Sequence, residues 1–151
     1  MSDQMSDQVE VALDYLRAHR VLTLATHGPA GLWAAAVFYA SERFTLYFLS
    51  APDTRHVHNL IHNPRVAGTI QENYEDWREI QGVQLEGPVQ LLERAARDAA
   101  VEAFQGKFPF LEYAPDPIQE ALQKVNWFKI IPDRLYFVDN RRGFGHRDRI
   151  L

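Results

Sequence analysis

Short runs of β-type residues joined by tight turns are the feature that most constrains the fold of this chain. Residues 21–26, 31–40 and 44–50 are rich in β-branched, aromatic and other apolar side chains. The segments between them, His-Gly-Pro-Ala-Gly and Ser-Glu-Arg, are too short for a crossover helix. Strands joined in this way form antiparallel hairpins. The sequence therefore predicts an antiparallel three-stranded meander.

The later patterns predict further strands and four helices. Strands are expected at residues 65–71 and 78–92, with a bend or bulge at Gly87-Pro88, and a last strand or pair of strands at 127–138, broken at Pro132-Asp133. Helical spacing, caps and breakers predict helices at residues 7–19, 54–62, 94–104 and 116–125, the third stopped by Gly106. The order is most consistent with a small antiparallel barrel with peripheral helices, which makes the fold class mainly β (α+β).

Length and composition limit the classes of protein to which the chain can belong. At 151 residues it fits one domain, predicted at 9–151, after a flexible N-terminal segment, 1–8, that repeats Met-Ser-Asp-Gln. It has neither an apolar run that spans a bilayer nor a signal peptide, so we expect a cytoplasmic location and no membrane partner. A net charge of −4 argues against nucleic acid, and the absence of cysteine excludes thiolate chemistry, so redox activity requires a bound cofactor.

The segment from Phe48 to Pro64 has a layout suited to holding a phosphate. A strand ends in Ser50, the chain turns at Pro52, and a short helix opens with Thr54, Arg55 and His56. Free N–H groups and the positive end of the helix dipole favour an anion there, and the side chains add donors. The alternative is that Asp53 merely caps the helix and Arg55 is a solvated surface residue.

The helix at 54–62 has two distinct faces. One face carries Val57, Leu60 and Ile61, and the opposite face carries Arg55, His58 and His62. His58 and His62 stand at i and i+4, a spacing that can bind zinc or iron. Because the sequence supplies no third ligand for them, no metal site is expected.

The ordered series of these elements resembles the pyridoxamine 5'-phosphate oxidase-like, FMN-binding split-barrel superfamily. The resemblance rests on the meander, the Ser50…Thr54-Arg55-His56 helix, the strand Asn63-Pro64-Arg65-Val66 and the strand Gly82-Val83-Gln84-Leu85-Glu86-Gly87. The ending Phe137-Val138-Asp139-Asn140-Arg141-Arg142-Gly143-Phe144-Gly145 is similar to that of a small uncharacterised bacterial group.

The resemblance implies a homodimer of six-stranded antiparallel split β-barrels, with FMN in a groove where the two subunits meet. The family's phosphate-binding positions correspond to Ser50, Thr54, Arg55 and His56 here. Its second strand runs beside the flavin, which implies main-chain contacts at Ala35, Ala36 and Val37. The run of alanines at 34–36 lets a flat ring approach the strand, although alanines in a strand also mark tight packing against a helix.

Several positions depart from the true oxidases of this superfamily. Ala34 and Tyr39 stand where those enzymes carry an arginine and a lysine, His56 replaces a helix lysine, and Gly82 replaces a glutamine. Each lost cation removes charge-assisted hydrogen bonds of about 1.5–3 kcal/mol. Pyridoxamine phosphate is therefore not the expected substrate.

The C-terminal segment supplies further candidates for cofactor contacts. Asn140, Gly143, Phe144 and Arg147 form a glycine-hinged tail that either folds across the cofactor or the partner subunit or is simply disordered. An arginine near a reduced flavin stabilises its negative charge. Trp33, Phe38, Tyr39 and Phe144 either wall the groove or belong to the core or the dimer interface.

The function expected from the sequence is that of an FMN-binding oxidoreductase that uses a nicotinamide or another small-molecule electron donor and acts on a small-molecule substrate. No catalytic residue is identified. The alternative is a non-catalytic binding module for FMN, haem or a deazaflavin, and a weaker one is a cofactor-free dimer kept for interaction.

Overall fold

The computed structural model describes residues 2–151. Four helices are described, α1 Ser2–Ala18, α2 Arg55–His62, α3 Arg94–Lys107 and α4 Asp116–Gln123. The strands are β1 Val21–Gly28, β2 Gly31–Glu42, β3 Thr45–Ser50, β4 Arg65–Ile70, β5 Gln81–Leu92, β6 Asn126–Ile130, β7 Arg134–Asp139 and β8 Arg147–Arg149. Short 3-10 turns lie at Trp77–Glu79, Pro109–Tyr113 and Asn140–Arg142.

Six of the strands close into an antiparallel barrel in the order β1-β2-β3-β6-β5-β4 and back to β1. β7 and β8 extend the sheet beyond β5. Closure pairs the strand edges that an open sheet would expose. The predicted six-stranded antiparallel barrel with peripheral helices is confirmed. Within residues 2–151, no helix is both long enough and apolar enough to cross a membrane.

β5 belongs to both halves of the barrel because it bends at Gly87-Pro88, as the sequence predicts. Its residues 81–86 pair with β7, whereas residues 89–92 pair with β6. The connection between β6 and β7 crosses directly over Gly87, where an added Cβ would lie 2.6 Å from the carbonyl oxygen of Ile131 and 2.8 Å from the Cα of Pro132. Only glycine allows this approach of two backbones.

Replacing Gly87 with alanine is expected to lower the free energy of unfolding by about 1–3 kcal/mol, because the methyl group would displace a backbone that cannot move alone. Gly106→Ala is the matched control, since nothing lies within 4 Å of its added Cβ in α3. Alanine there should stabilise the protein by about 0.5–1 kcal/mol. Equal effects of the two changes in urea denaturation would show that the crossing over Gly87 is not tight.

The core lies inside the barrel, and helices cover both of its ends. Leu24, Phe48 and Phe137 are among the fully buried side chains of the interior. At the start of β1, α1 is anchored by the Tyr39 hydroxyl, which donates to the Leu16 carbonyl oxygen at 2.7 Å. At the other end of β1, α2 is anchored by the Asn59 amide, which donates to the Thr26 hydroxyl at 3.1 Å.

Three helix predictions need correction. α1 includes residues 2–8, so the helix begins at Ser2 rather than at residue 7, since no breaker stands there. The flexibility predicted for residues 1–8 stays a prediction, and Met1 lies outside the described residues. α3 continues through Gly106 to Lys107 and ends before Pro109, because proline disfavours helical geometry in the residue that precedes it. In α2, Ile61 is 69% exposed, and His56 and Asn59 are buried instead beside Val57 and Leu60.

Candidate functional site

Thr54 rather than Asp53 caps the helix that follows β3. The Thr54 side chain accepts from the Val57 N–H at 3.4 Å, and its hydroxyl donates to the Ala51 carbonyl oxygen at 2.9 Å. The N–H groups of Arg55 and His56 fall in the first turn of α2, where no earlier helical carbonyl is available to them. We call the cluster of Ser50, Thr54, Arg55 and His56 the anion corner, after the phosphate-binding role that the sequence predicts for it. The helix start that such a role requires is present.

Ser50 and His56 form a buried hydrogen-bonded pair inside this corner. Ser50 ends β3, and its Oγ lies 2.6 Å from the Nε2 of His56. The Thr54 hydroxyl lies 3.5 Å from the same nitrogen. Burial of the imidazole lowers the pKa of His56, because the charged form loses its hydration. The pair is therefore neutral near pH 7 when no anion is present.

The side chain of Arg55 is exposed, as the alternative interpretation expects, but its guanidinium is hydrogen-bonded within the chain. Its guanidinium donates to the carbonyl oxygens of Ala30 at 3.0 Å and Leu32 at 3.3 Å, and its Cζ lies 4.3 Å from the ring centroid of Trp33. These contacts fasten the β1–β2 hairpin to the start of α2. The fold thus brings Ser50, Thr54, Arg55 and His56 together, and each of these side chains has at least one hydrogen-bond partner within the chain.

Sequence reasoning missed Asn59 and its partners. The Asn59 side chain is fully buried, and besides its bond to Thr26 it lies against Gly28, where any side chain would collide with the amide oxygen. This contact holds α2 against the β1–β2 hairpin, to which Arg55 also donates hydrogen bonds. The helical pattern gave no signal for it, because Asn59 does not share the face that carries Val57, Leu60 and Ile61.

β2 leaves the barrel wall next to the corner and presents a free backbone edge. It pairs with β1 over residues 31–38, but with β3 only over residues 39–42. The Tyr39 N–H donates to the carbonyl oxygen of Arg20, next to the start of β1. Because N–H groups alternate in direction along a strand, those of odd-numbered residues in β2 point to β1, and those of even-numbered residues point to the free edge. The Ala36 N–H therefore faces the free edge, whereas those of Ala35 and Val37 face β1.

A broad side of the sheet faces away from the barrel interior, and we call it the open face. Its centre is formed by small side chains at paired positions of β1, β2 and β4, namely Thr23, Ala25, Ala34, Ala36, Ala67 and Thr69. Outward residues of β5 and β7, such as Gln84 and Tyr136, continue it. Most of these side chains are exposed.

The C-terminal residues are folded onto the far edge of the sheet rather than free. Asn140 donates to the Trp77 carbonyl oxygen at 2.8 Å and accepts from the Gly145 N–H at 3.0 Å. Gly143 has a φ of 139°, which lets the chain reverse into β8. Terminal disorder is therefore the wrong interpretation for this segment.

Phe144 and Arg147 are placed differently on this edge. Phe144 is 84% exposed and packs edge-on against Trp77, with ring centroids 5.6 Å apart. Arg147 lies in β8, with its Cζ 4.7 Å from the ring centroid of Tyr136. Five strand-to-strand steps separate β8 from β2, and neighbouring strands lie about 4.8 Å apart. One chain therefore does not bring these residues to the corner.

Of the four aromatic residues proposed as groove walls, Tyr39 belongs to the core. It is fully buried, and burial raises the pKa of its phenol. Trp33 is 44% exposed beside Arg55, and Phe38 is 50% exposed next to Phe108. The rings of His58 and His62 are 4.7 Å apart, and the described residues contain no cluster of three or more potential metal ligands.

The fold defines the chain as a split-barrel protein, and the candidate site lies at the start of α2. Residues 9–139 match the family model described as pyridoxamine 5'-phosphate oxidase. The chain belongs to this family.

The chain is also similar to known relatives and to solved structures. The UPF0306 protein YhbP of Salmonella typhi is 32% identical over 135 residues, which cover 88% of this chain and 86% of YhbP. The structure of Rv2991 from Mycobacterium tuberculosis matches with a TM-score of 0.73 at 21% identity and covers 88% of this chain and 85% of its own. HutZ, the haem storage protein from Vibrio cholerae, matches with a TM-score of 0.67 at 17% identity, over 81% of this chain and 88% of its own. At these identities, the two structures show likeness of fold.

Proposed function

We propose that this protein is a homodimeric flavoprotein that binds FMN and acts as an oxidoreductase with a nicotinamide or another small-molecule electron donor. The observation that carries the proposal is the anion corner of Ser50, Thr54, Arg55 and His56 beside the free edge of β2. Membership of the pyridoxamine 5'-phosphate oxidase family supports FMN as the cofactor.

The donor set of the corner fits a phosphate monoester. Two hydroxyls, a guanidinium and the first N–H groups of α2 are the groups that proteins use to bind phosphate. The neighbouring Ala34 and Ala36 are exposed and carry only methyl side chains, which leaves room for a flat ring on β2. The Ala36 N–H at the free edge is a donor for the polar rim of that ring.

The open face supports assembly into a dimer. Its centre is small and uncharged, and its margin carries Arg65, Glu86 and Arg134, a distribution typical of protein interfaces. A two-fold axis on this face brings the β8 edge of one protomer toward the β2 edge of its partner. Phe144 and Arg147 then approach a cofactor bound by the other subunit.

Pyridoxamine phosphate is not the substrate we propose. Ala34 supplies no cation on the open face, and Tyr39 is directed into the barrel, where its hydroxyl bonds to Leu16. FMN supplies the hydride and electron chemistry when bound. The residues of this chain bind the phosphate, orient the ring along β2 and, through Arg147, favour negative charge on it.

The proposal is tested by titrating the purified protein, stripped of any bound ligand, with FMN and following the quenching of flavin fluorescence. We expect saturable binding with one FMN per chain. Anaerobic addition of NADH or NADPH to the complex should then bleach the flavin spectrum. Binding without bleaching by any donor would leave a carrier rather than an enzyme, and no binding would refute the flavoprotein assignment.

A haem-binding module is the second candidate, because HutZ, which shares the fold, is named as a haem storage protein. On the open face, the exposed His27 offers an imidazole next to Ala25 and Leu32. Titration with haemin would produce a sharp Soret band if this candidate holds, and His27→Ala would weaken that band. FMN and haemin titrations of the same preparation therefore separate the two functions.

A further inference from the structure

Both hydroxyls of the anion corner have hydrogen-bond partners within the chain, and one terminal nitrogen of Arg55 does as well. The Thr54 hydroxyl gives its single proton to the Ala51 carbonyl oxygen, and Arg55 donates to the hairpin carbonyls. The Ser50 hydroxyl has one proton, and its Oγ is 2.6 Å from His56 Nε2. A hydroxyl that donates to a neutral imidazole cannot donate to an anion at the same time.

Where the neutral imidazole carries its proton on Nδ1 and accepts from Ser50, protonation of Nε2 reverses the direction of this hydrogen bond. An imidazolium carries a proton on Nε2 and donates it to the Ser50 oxygen. The Ser50 O–H is then free to turn toward a phosphate oxygen. One proton therefore releases a donor and adds a positive charge in a corner where His56 stands in place of a fixed cation.

We propose that His56 takes up a proton from solvent when the phosphate of the ligand binds, so that the affinity of the corner for a phosphate monoester is controlled by pH. This inference rests on the proposed function, because it takes FMN as the ligand. The anion itself drives the uptake, since a nearby negative charge favours the charged form of a buried imidazole.

Among the described residues, no carboxylate forms an ion pair with His56, so a bound anion would supply the negative charge that its imidazolium lacks. The groups within hydrogen-bond distance of its ring are the uncharged hydroxyls of Ser50 and Thr54. Arg55 precedes it in α2 and is directed to the hairpin carbonyls, and Asp53 lies in the preceding turn. From β6, the residue paired with Ser50 is the uncharged Asn126. Among the described residues, none of the ion pairs involves His56.

The pH dependence of FMN binding is the first test. The phosphate monoester is already a dianion above about pH 7, because its second pKa is about 6. Between pH 7.0 and 8.5 we therefore expect the dissociation constant to rise with pH, and uptake of one full proton corresponds to a slope of about tenfold per pH unit. Riboflavin, which lacks the phosphate, should bind with no such slope.

Proton uptake is measured directly by calorimetric titration of the wild-type protein with FMN at pH 7.5, in two buffers with different heats of ionisation. We expect an uptake close to one proton per FMN. Because this measurement needs no variant, it does not depend on how well any substitution folds.

Two variants on α2 assign the proton to its residue. His56→Lys supplies a fixed cation, so its FMN affinity should change less than threefold between pH 7.0 and 8.0. His58→Gln removes an exposed histidine of the same helix and should keep the full slope. FMN binding with a flat pH profile and no proton uptake would overturn this inference while leaving the flavoprotein proposal intact. Failure of FMN to bind at any pH would overturn both.

Discussion

Ala34→Glu is expected to convert the proposed dimer into a monomer. Ala34 is exposed at the centre of the open face, between Ala25 of the neighbouring strand and the free edge of β2. In a two-fold assembly the change places two carboxylates in the interface, and each costs several kcal/mol when buried without a partner. We expect the dimer dissociation constant to rise at least a hundredfold, which is about 2.8 kcal/mol.

Analytical ultracentrifugation of the wild type and the variant measures this effect. Leu91→Glu is the matched control, because Leu91 is a 51% exposed apolar residue in the part of β5 that pairs with β6, away from the open face. It should leave the dimer unchanged. A dimer that survives Ala34→Glu and dissociates with Leu91→Glu would move the interface to the other side of the barrel.

Arg55→Ala is expected to weaken FMN binding by more than tenfold, which corresponds to about 1.4 kcal/mol. The guanidinium is the fixed positive charge of the anion corner, and it can exchange its bonds to Ala30 and Leu32 for the phosphate. Arg55→Lys should recover part of the affinity, because lysine keeps the charge but not the planar fork.

The effect is read from the FMN dissociation constant at fixed pH and salt. Arg17→Ala is the control, since Arg17 is an exposed arginine of α1 that pairs with Glu10 and Asp14 at the opposite end of the barrel. It should not change FMN affinity. A folded Arg55→Ala protein with an unaltered dissociation constant would falsify the phosphate assignment.

The strands and helices were largely predictable because they depend on neighbouring residues. The turn sequences required hairpins, and Gly87-Pro88 and Pro132-Asp133 marked the bend of β5 and the division between β6 and β7. The helix ends were less predictable. Gly106 lowers helix propensity only slightly and did not stop α3, whereas Pro109 limited it.

The face of a short helix was harder to predict from sequence. The pattern in α2 placed Ile61 with Val57 and Leu60, yet Ile61 is exposed and the polar His56 and Asn59 are buried. Both polar residues have buried hydrogen-bond partners, Ser50 and Thr26, that lie on other elements. Burial of such groups is stable only when these partners are in place, and a single helix does not reveal them.

The sequence alone predicted that Ser50, Thr54, Arg55 and His56 lie close together, because they fall within seven consecutive positions. The tertiary structure decided what these residues do in the absence of a ligand. Arg55 reaches the carbonyl oxygens of the β1–β2 hairpin only because Asn59 and Gly28 hold β1 against α2. The C-terminal residues form β8 only because β7 has a free edge with which they can pair. Local patterns fix a residue's position in an element, whereas its hydrogen-bond partner depends on packing between distant segments.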